Sequence, residues 1–143
     1  MRFMVILKGN EAIDAAGAMP TEKMLDDMTK FNEELVNAGV MVGGEGLHPA
    51  KEGTSVTFKD GKATVTKGAT SSLIAGFWLW KVKSIDEAID WVKRIPNAEG
   101  EIELREVFET EEFSGIMSPE AMAKEKQLYQ RIADQNAKAA SGR

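Results

Sequence analysis

The sequence predicts an α+β domain in which one antiparallel sheet carries two helices on one face. Three observations predict it: apolar strand-like runs alternate with two helix-like segments, a hairpin separates two strand–helix–strand halves, and a third helix follows the last strand. At 143 residues the chain can bury a core without disulfides or metals. We expect a domain over residues 1–108, followed by a linker and a C-terminal helix over residues 109–143.

The first half of the chain predicts a strand, a helix and a short strand. Arg2–Lys8 is apolar at successive positions and rich in β-branched and aromatic residues, as in a strand buried on both faces. Thr21 is a good N-cap, and apolar residues recur at helical spacing from there to Gly39. Val40–Val42 predicts a strand that runs into residues 43–49, where three glycines in four residues require a bend or a close backbone approach.

The second half begins with a hairpin. Residues 54–58 and 63–66 are runs rich in β-branched residues around Asp60-Gly61, and this dipeptide is the strongest short-range signal for a two-residue hairpin turn. Leu73–Val82 is almost continuously apolar, which predicts a central strand of the sheet.

A second helix, a last strand and a third helix complete the predicted elements. Ser84–Glu87 is a capping box, and the apolar stripe that follows it stops at Pro96. Residues 101–108 alternate between apolar and polar side chains, which predicts a strand. Ser118-Pro119-Glu120 is typical of a helix start. Because this third helix has few apolar residues, we expect it to dock across an existing surface or onto a second subunit.

Composition excludes several classes of function. The absence of cysteine excludes disulfides, thiolate nucleophiles and iron–sulfur clusters. A net charge of −5 without a basic cluster argues against nucleic acid as a partner. The apolar run over residues 3–7 is too short for a signal peptide or a membrane span, so we expect a cytoplasmic protein that makes no membrane contact.

The strand over Leu73–Val82 carries apolar side chains on both faces, although the two helices can cover only one face of the sheet. Trp78 and Trp80 share one face and, left in solvent, would form an unusually large apolar patch. The other face has Ala75, Phe77 and Leu79. We expect sheet-on-sheet packing with an identical subunit to cover the tryptophans, closing a barrel-like homodimer around a cavity. In the alternative, the third helix folds back over that face.

Four segments carry a resemblance to a known family: Gly43–Leu47, Gly76–Leu79, Arg94–Pro96 and Ile102–Val107. They resemble the DGPF-domain branch of the YCII-related proteins, and the likeness runs from residue 1 to about residue 107. The resemblance implies a ferredoxin-like fold that pairs into a dimeric α/β barrel, with the C-terminal helix as an extension.

Two motifs of that family are missing from this chain. Lys67-Gly68-Ala69-Thr70 stands where the family has Asp-Gly-Pro-Phe, so the DGPF motif is degenerate. The family's pairing of a histidine on the first helix with an aspartate before the proline that ends the second helix is also absent, because the first helix has no histidine and Ile95 precedes Pro96.

His48 and Glu45 are the candidate catalytic residues. His48 is the only histidine, and imidazole exchanges protons readily near neutral pH. Glu45 lies three residues earlier and could orient that imidazole if the glycine-rich segment bends. In the alternative, His48 is an ordinary residue of a surface loop.

Lys67, Trp78, Trp80 and Arg105 are the candidate ligand-binding residues. An apolar aromatic wall with one or two cations suits a small aromatic or carboxylated metabolite. Alternatively, Arg105 forms an ion pair with Glu103. Neither metal-ligand spacing nor a nucleotide-binding motif occurs, so we expect no metal and no cofactor.

Seven glutamates lie between residues 99 and 112, with Arg105 as the only cation among them. Such a run is usually a solvated edge that discourages unwanted strand pairing, and the alternative is a docking strip for a basic partner or for the third helix.

The sequence supports two functions from different classes. In the first, the dimer is a cofactor-independent isomerase or lyase that acts on a small metabolite held between the sheets. In the second, it is a non-catalytic ligand-binding or regulatory protein with a decayed active site.

Overall fold

The computed structural model describes residues 1–9, 19–68 and 73–141 and divides the chain into two compact units, Met1–Val107 and Phe108–Arg143. The first unit contains β1 (Arg2–Lys8), α1 (Glu22–Asn37), β2 (Met41–Gly46), β3 (Thr54–Lys59), β4 (Lys62–Lys67), β5 (Ile74–Lys81), α2 (Ile85–Val92) and β6 (Ile102–Glu106). The second unit contains α3 (Pro119–Ser141). Short 3-10 turns lie at Ala50–Glu52 and Thr110–Phe113.

The first unit is built on a four-stranded sheet with the order β2-β5-β1-β6, in which every neighbouring pair is antiparallel. Strand β5 lies between β1 and β2, so the β1-α1-β2 unit is split, as in ferredoxin-like folds. Strands β3 and β4 pair only with each other and form a separate two-stranded sheet. The predicted α+β architecture is therefore confirmed.

Both helices of the first unit pack on the same face of the sheet. The buried core consists of Phe3, Val5, Phe31, Leu35, Val40, Trp78, Trp80, Val82, Ala88 and Ile95. Trp80 is 0% exposed and Trp78 is 5% exposed, and the Phe31 ring from α1 meets both of them edge-on. The expectation that an identical subunit covers the tryptophans is therefore wrong, because α1 and α2 of the same chain cover them.

The helix starts form as the sequence predicts. The Thr21 hydroxyl accepts a hydrogen bond from the Met24 backbone N–H, and the Ser84 hydroxyl accepts one from the Glu87 N–H. The Glu87 carboxylate in turn accepts from the Lys83 N–H at 2.7 Å. These side chains satisfy backbone donors that have no partner within the helix.

Strand β2 runs through the glycine-rich segment instead of ending before it. A Cβ atom on Gly44 would lie 2.6 Å from Trp78 Cδ1, and one on Gly76 would lie 2.8 Å from the Glu45 carbonyl oxygen. Both contacts are too short for a side chain, so glycine lets β2 and β5 approach each other over the tryptophan ring. Of the two explanations offered by the sequence, the close approach is correct.

The hairpin turn has the backbone that Asp-Gly favours. Asp60 has φ of 51° and Gly61 has φ of 76°, so both central residues are in the left-handed region required by a type I′ turn. The predicted hairpin is confirmed over its full length, from the Thr54–Lys67 pair to the Lys59–Lys62 pair.

Polar contacts on the surface tie α1 to the segment that follows α2. Arg94 donates to the Glu34 carboxylate at 2.6 Å and lies 4.2 Å from the centre of the Trp91 ring. Asn97 donates to the Asp27 carboxylate, which also accepts from Lys23.

The second unit is held by contacts between its 3-10 turn and the first turns of α3. The buried Thr110 hydroxyl donates to the Glu125 carboxylate at 2.8 Å, and Lys126 pairs with Glu111 at 2.9 Å. Ser118 caps α3 by accepting from the Ala121 N–H. Within the described part of the chain, no helix is long and apolar enough to cross a membrane.

Replacing Gly44 by alanine is expected to destabilise the first unit. The new methyl group would collide with the Trp78 ring and the Phe77 carbonyl, an overpacking that costs about 1–3 kcal/mol. Urea unfolding followed by tryptophan fluorescence measures the loss. Gly43→Ala is the matched control, because a Cβ atom there has no neighbour within 4 Å. Equal effects of the two substitutions would contradict the close approach at Gly44.

Asp27 is expected to titrate below an ordinary aspartate. The hydrogen bond from Lys23, and then that from Asn97, lower the pKa of the Asp27 carboxyl from 3.8. A depressed pKa contributes stability above the unfolded-state value, and this contribution is lost as the pH falls through the folded-state pKa. NMR titration of the carboxyl carbon measures the value. Lys23→Met should raise it more than Lys30→Met, which removes a charge but no hydrogen bond; a larger effect of Lys30→Met would refute the assignment.

Candidate functional site

The face of the four-stranded sheet opposite the helices carries its own set of side chains. Because side chains alternate along a strand, burial of Phe3 and Val5 on the helix side sends Met4 and Ile6 to the other side. Strand β5 contributes Phe77 and Leu79 in the same way. We call this surface the open face, with the residues Met4, Ile6, Glu45, Phe77, Leu79, Glu103 and Arg105. None of them belongs to the core cluster, and Met4 is 37% exposed.

Strand register arranges the open face into two rows. Glu45, Phe77, Ile6 and Glu103 are successive partners across the four strands. The next row consists of Gly43, Leu79, Met4 and Arg105. Three interstrand steps of about 4.8 Å place the backbones of β2 and β6 about 14 Å apart. An apolar centre thus lies between charged side chains on the two edge strands.

The charges on the β6 edge are paired with one another. Glu103 lies 3.5 Å from the Lys8 amine and 3.6 Å from the Arg105 guanidinium. Lys8 also forms a 2.6 Å hydrogen bond with Glu101, which raises the pKa of its amine. The structure therefore matches the alternative in which Arg105 forms an ion pair with Glu103. The pairing is loose, and the Arg105 side chain remains 70% exposed and accessible to an anion.

Glu45 lies at the opposite edge of the open face, directly across from Phe77. Its side chain is exposed, and among the described residues no ion pair or side-chain hydrogen bond involves its carboxylate. This carboxylate is therefore available to a bound molecule.

The structure does not bring His48 and Glu45 together. Strand β2 stays extended to Gly46, and the ion pair that the His48 imidazole forms within the described residues is with Glu52, not with Glu45. The His48 side chain is 88% exposed, and its Nδ1 lies 3.5 Å from the Glu52 carboxylate. This placement matches the surface-loop alternative, since the bend that would have paired His48 with Glu45 does not form.

The four predicted ligand-binding residues are distributed over three places. Trp78 and Trp80 lie in the core, where the Trp78 indole donates to Asn32 Oδ1 at 2.9 Å and the Trp80 indole N–H finds no acceptor among the described residues. Arg105 lies on the open face, on the other side of the sheet. Lys67 is exposed at the end of β4, where it pairs with Thr54 in the separate hairpin.

The sequence-based choice of ligand-binding residues missed the apolar centre of the open face. Phe77 and Leu79 alternate with the tryptophans in β5, so the sequence does indicate a second apolar face. The prediction took the face with the larger aromatic side chains as the ligand-binding one. The segment in place of the DGPF motif begins at Lys67 and Gly68, and its residues 69 and 70 lie outside the described part of the chain.

Over residues 1–9, 19–68 and 73–141, no group of three or more His, Asp or Glu side chains is placed to hold a metal ion.

Comparison with protein-family models identifies the family of this chain. A search of curated proteins found no match. The family model described as the YCII-related domain matches residues 1–111, which include every strand of the ferredoxin-like unit. The chain therefore belongs to the YCII-related domain family.

Proposed function

We propose that the protein is a homodimer that binds a small aromatic or carboxylated metabolite on the open face of its sheet. The observation that carries this proposal is the composition of that face: an apolar centre lies between a largely exposed guanidinium on β6 and a carboxylate on β2 that has no ion-pair partner among the described residues. Binding sites for small molecules commonly combine such an apolar surface with a few polar groups that fix orientation.

The apolar centre supports the dimer. Met4, Ile6, Phe77 and Leu79 are exposed or half-buried, and they share a face on which the core helices do not pack. Sheets of two copies can pack face to face at a spacing of about 10 Å, which leaves room for a small ligand where side chains are short. Gly43, at the β2 end of the second row, provides such a position.

The edge charges support the choice of ligand. The Arg105 guanidinium can hold a carboxylate at one edge, while an aromatic ring rests on Met4 and Phe77. Glu45 then reaches the ligand from the other edge. With the two edge strands about 14 Å apart, side chains that point inward can bracket a molecule of one ring and one carboxylate.

A catalytic role for Glu45 is the second candidate function. An unpaired carboxylate beside an aromatic side chain can accept a proton from a bound substrate, as a cofactor-independent isomerase or lyase requires. In this proposal Glu45 acts without His48, whose imidazole faces Glu52.

The dimer is expected to depend on Leu79. Leu79→Lys places a charge in the apolar centre, where burial without a partner is costly, so the dimer should dissociate. Native mass spectrometry of gently purified protein reports both subunit number and any retained small molecule. Val36→Lys is the matched control, because Val36 is 60% exposed on α1 and lies away from the open face. A monomeric wild-type protein would refute the proposed dimer.

Ligand binding is expected to depend on Arg105. Arg105→Met should weaken the binding of benzoate by at least about tenfold, because a hydrogen bond to a charged group contributes about 1.5–3 kcal/mol. NMR shift titration measures the affinity and should show perturbed methyl signals from Ile6 and Leu79. Lys30→Met, a substitution at an exposed position of α1, removes a positive charge on the helix side of the sheet and should have no effect. Benzoate binding that survives Arg105→Met unchanged would exclude the guanidinium from the site.

Glu45→Gln separates binding from catalysis. Loss of the carboxylate should leave the benzoate affinity within about threefold, since it removes no hydrogen bond to the ligand's carboxylate. If a substrate is found, the same variant should lose turnover by at least about a hundredfold as expected for a general base. Retained turnover would leave ligand binding as the function.

A further inference from the structure

The β3–β4 hairpin presents an apolar face that no described part of the chain covers. Cross-strand pairs place Val56 opposite Val65 and Phe58 opposite Ala63 on one face of the ribbon. All four side chains are exposed, and Phe58 is 76% exposed. The Thr54–Lys67 pair lies on the same face at the open end of the ribbon, and the opposite face is polar and consists of Ser55, Thr57, Lys59, Lys62, Thr64 and Thr66.

An amphipathic hairpin of this kind needs a surface to pack on. A two-stranded hairpin alone is at best marginally stable in water. Here the turn is favourable and the register regular, but the apolar side chains contribute little until they are buried. Each strand has six residues and is about 20 Å long, so the ribbon is long enough to reach a neighbouring molecule.

Charge distinguishes the hairpin from the rest of the chain. Residues 54–67 contain three lysines and one aspartate, a net charge of +2 in a chain of net charge −5. Residues 99–106, on and before the edge strand β6, contain four glutamates and one arginine, a net charge of −3. The chain therefore contains a basic apolar ribbon together with an acidic sheet edge of complementary charge.

We propose that the hairpin is an arm that packs its apolar face on a second copy of the chain, with the basic tip of the ribbon near the acidic β6 edge of that copy. This inference rests on the proposed homodimer and extends it, because the contact lies outside the open face. The arm's positive charge offsets part of the repulsion between two copies that each carry −5.

Site-specific crosslinking tests the arm directly. The chain has no cysteine, so Phe58→Cys introduces a single thiol that can carry a benzophenone maleimide. Thr57→Cys is the matched control, since it is the neighbouring exposed residue on the polar face. Illumination should join two chains several-fold more efficiently from position 58 than from position 57. A mixture of unlabelled and 15N-labelled protein identifies crosslinks between copies, which should fall in residues 99–106.

Sedimentation velocity gives an independent measurement. Phe58→Ser should raise the dimer dissociation constant by at least about tenfold, as expected when an interface loses a buried aromatic side chain, whereas Thr57→Ser should leave it unchanged. Added salt should weaken the wild-type dimer more than a Lys59→Gln/Lys62→Gln variant.

The outcomes separate this inference from the proposed function. A wild-type dimer that is unaffected by Phe58→Ser would overturn the arm while leaving the open-face dimer intact. Crosslinks from position 58 that stay within one chain would also overturn it, because the arm would then pack on its own subunit. A monomeric wild-type protein would overturn both the dimer and the arm.

Discussion

The packing of Trp78 and Trp80 beneath α1 determines the rest of the first unit. Successive side chains of a strand point to opposite faces, so burying these two residues against Phe31 assigns every other residue of β5 to a face. Phe77 and Leu79 must then point away from the helices. Through the strand register, the same constraint fixes the neighbours of the open face on β1, β2 and β6.

That packing also explains why β2 is rich in glycine and why the tryptophans are poor ligand contacts. Gly44 leaves the space that the Trp78 ring occupies, and Asn32 accepts the hydrogen bond from its indole. The side chain is thus held on two sides and buried. Trp80 is enclosed completely, and its N–H lacks an acceptor among the described residues, so burial of a large apolar surface outweighs one unmade hydrogen bond.

Local signals predicted the elements, and long-range packing determined the site. Thr21, Ser84 and Asp60-Gly61 act through neighbours within four residues, so their helix starts and turn follow directly from sequence. The face of β5 that packs on the helices cannot be predicted from sequence in this way. Both faces of the strand are apolar, so the alternation of side chains does not distinguish them. The pairing of Glu45 with His48 failed for a similar reason: it assumed a bend, whereas cross-strand pairing with β5 keeps β2 extended.

The hairpin and the open face each present an apolar surface on which no described element of the chain packs. A sheet with helices on one face leaves its other face without a covering layer. A two-stranded ribbon likewise has an apolar face that no second layer covers. The two helices of the first unit pack on one face of the sheet, and they leave the opposite face and the hairpin side chains exposed. In the proposed dimer, a second copy would bring both kinds of surface, and a symmetric pair would bury each of them on both copies. Association in the proposed dimer has to overcome the repulsion between two acidic chains, which gives the proposed basic arm a role that an apolar ribbon alone would not fill.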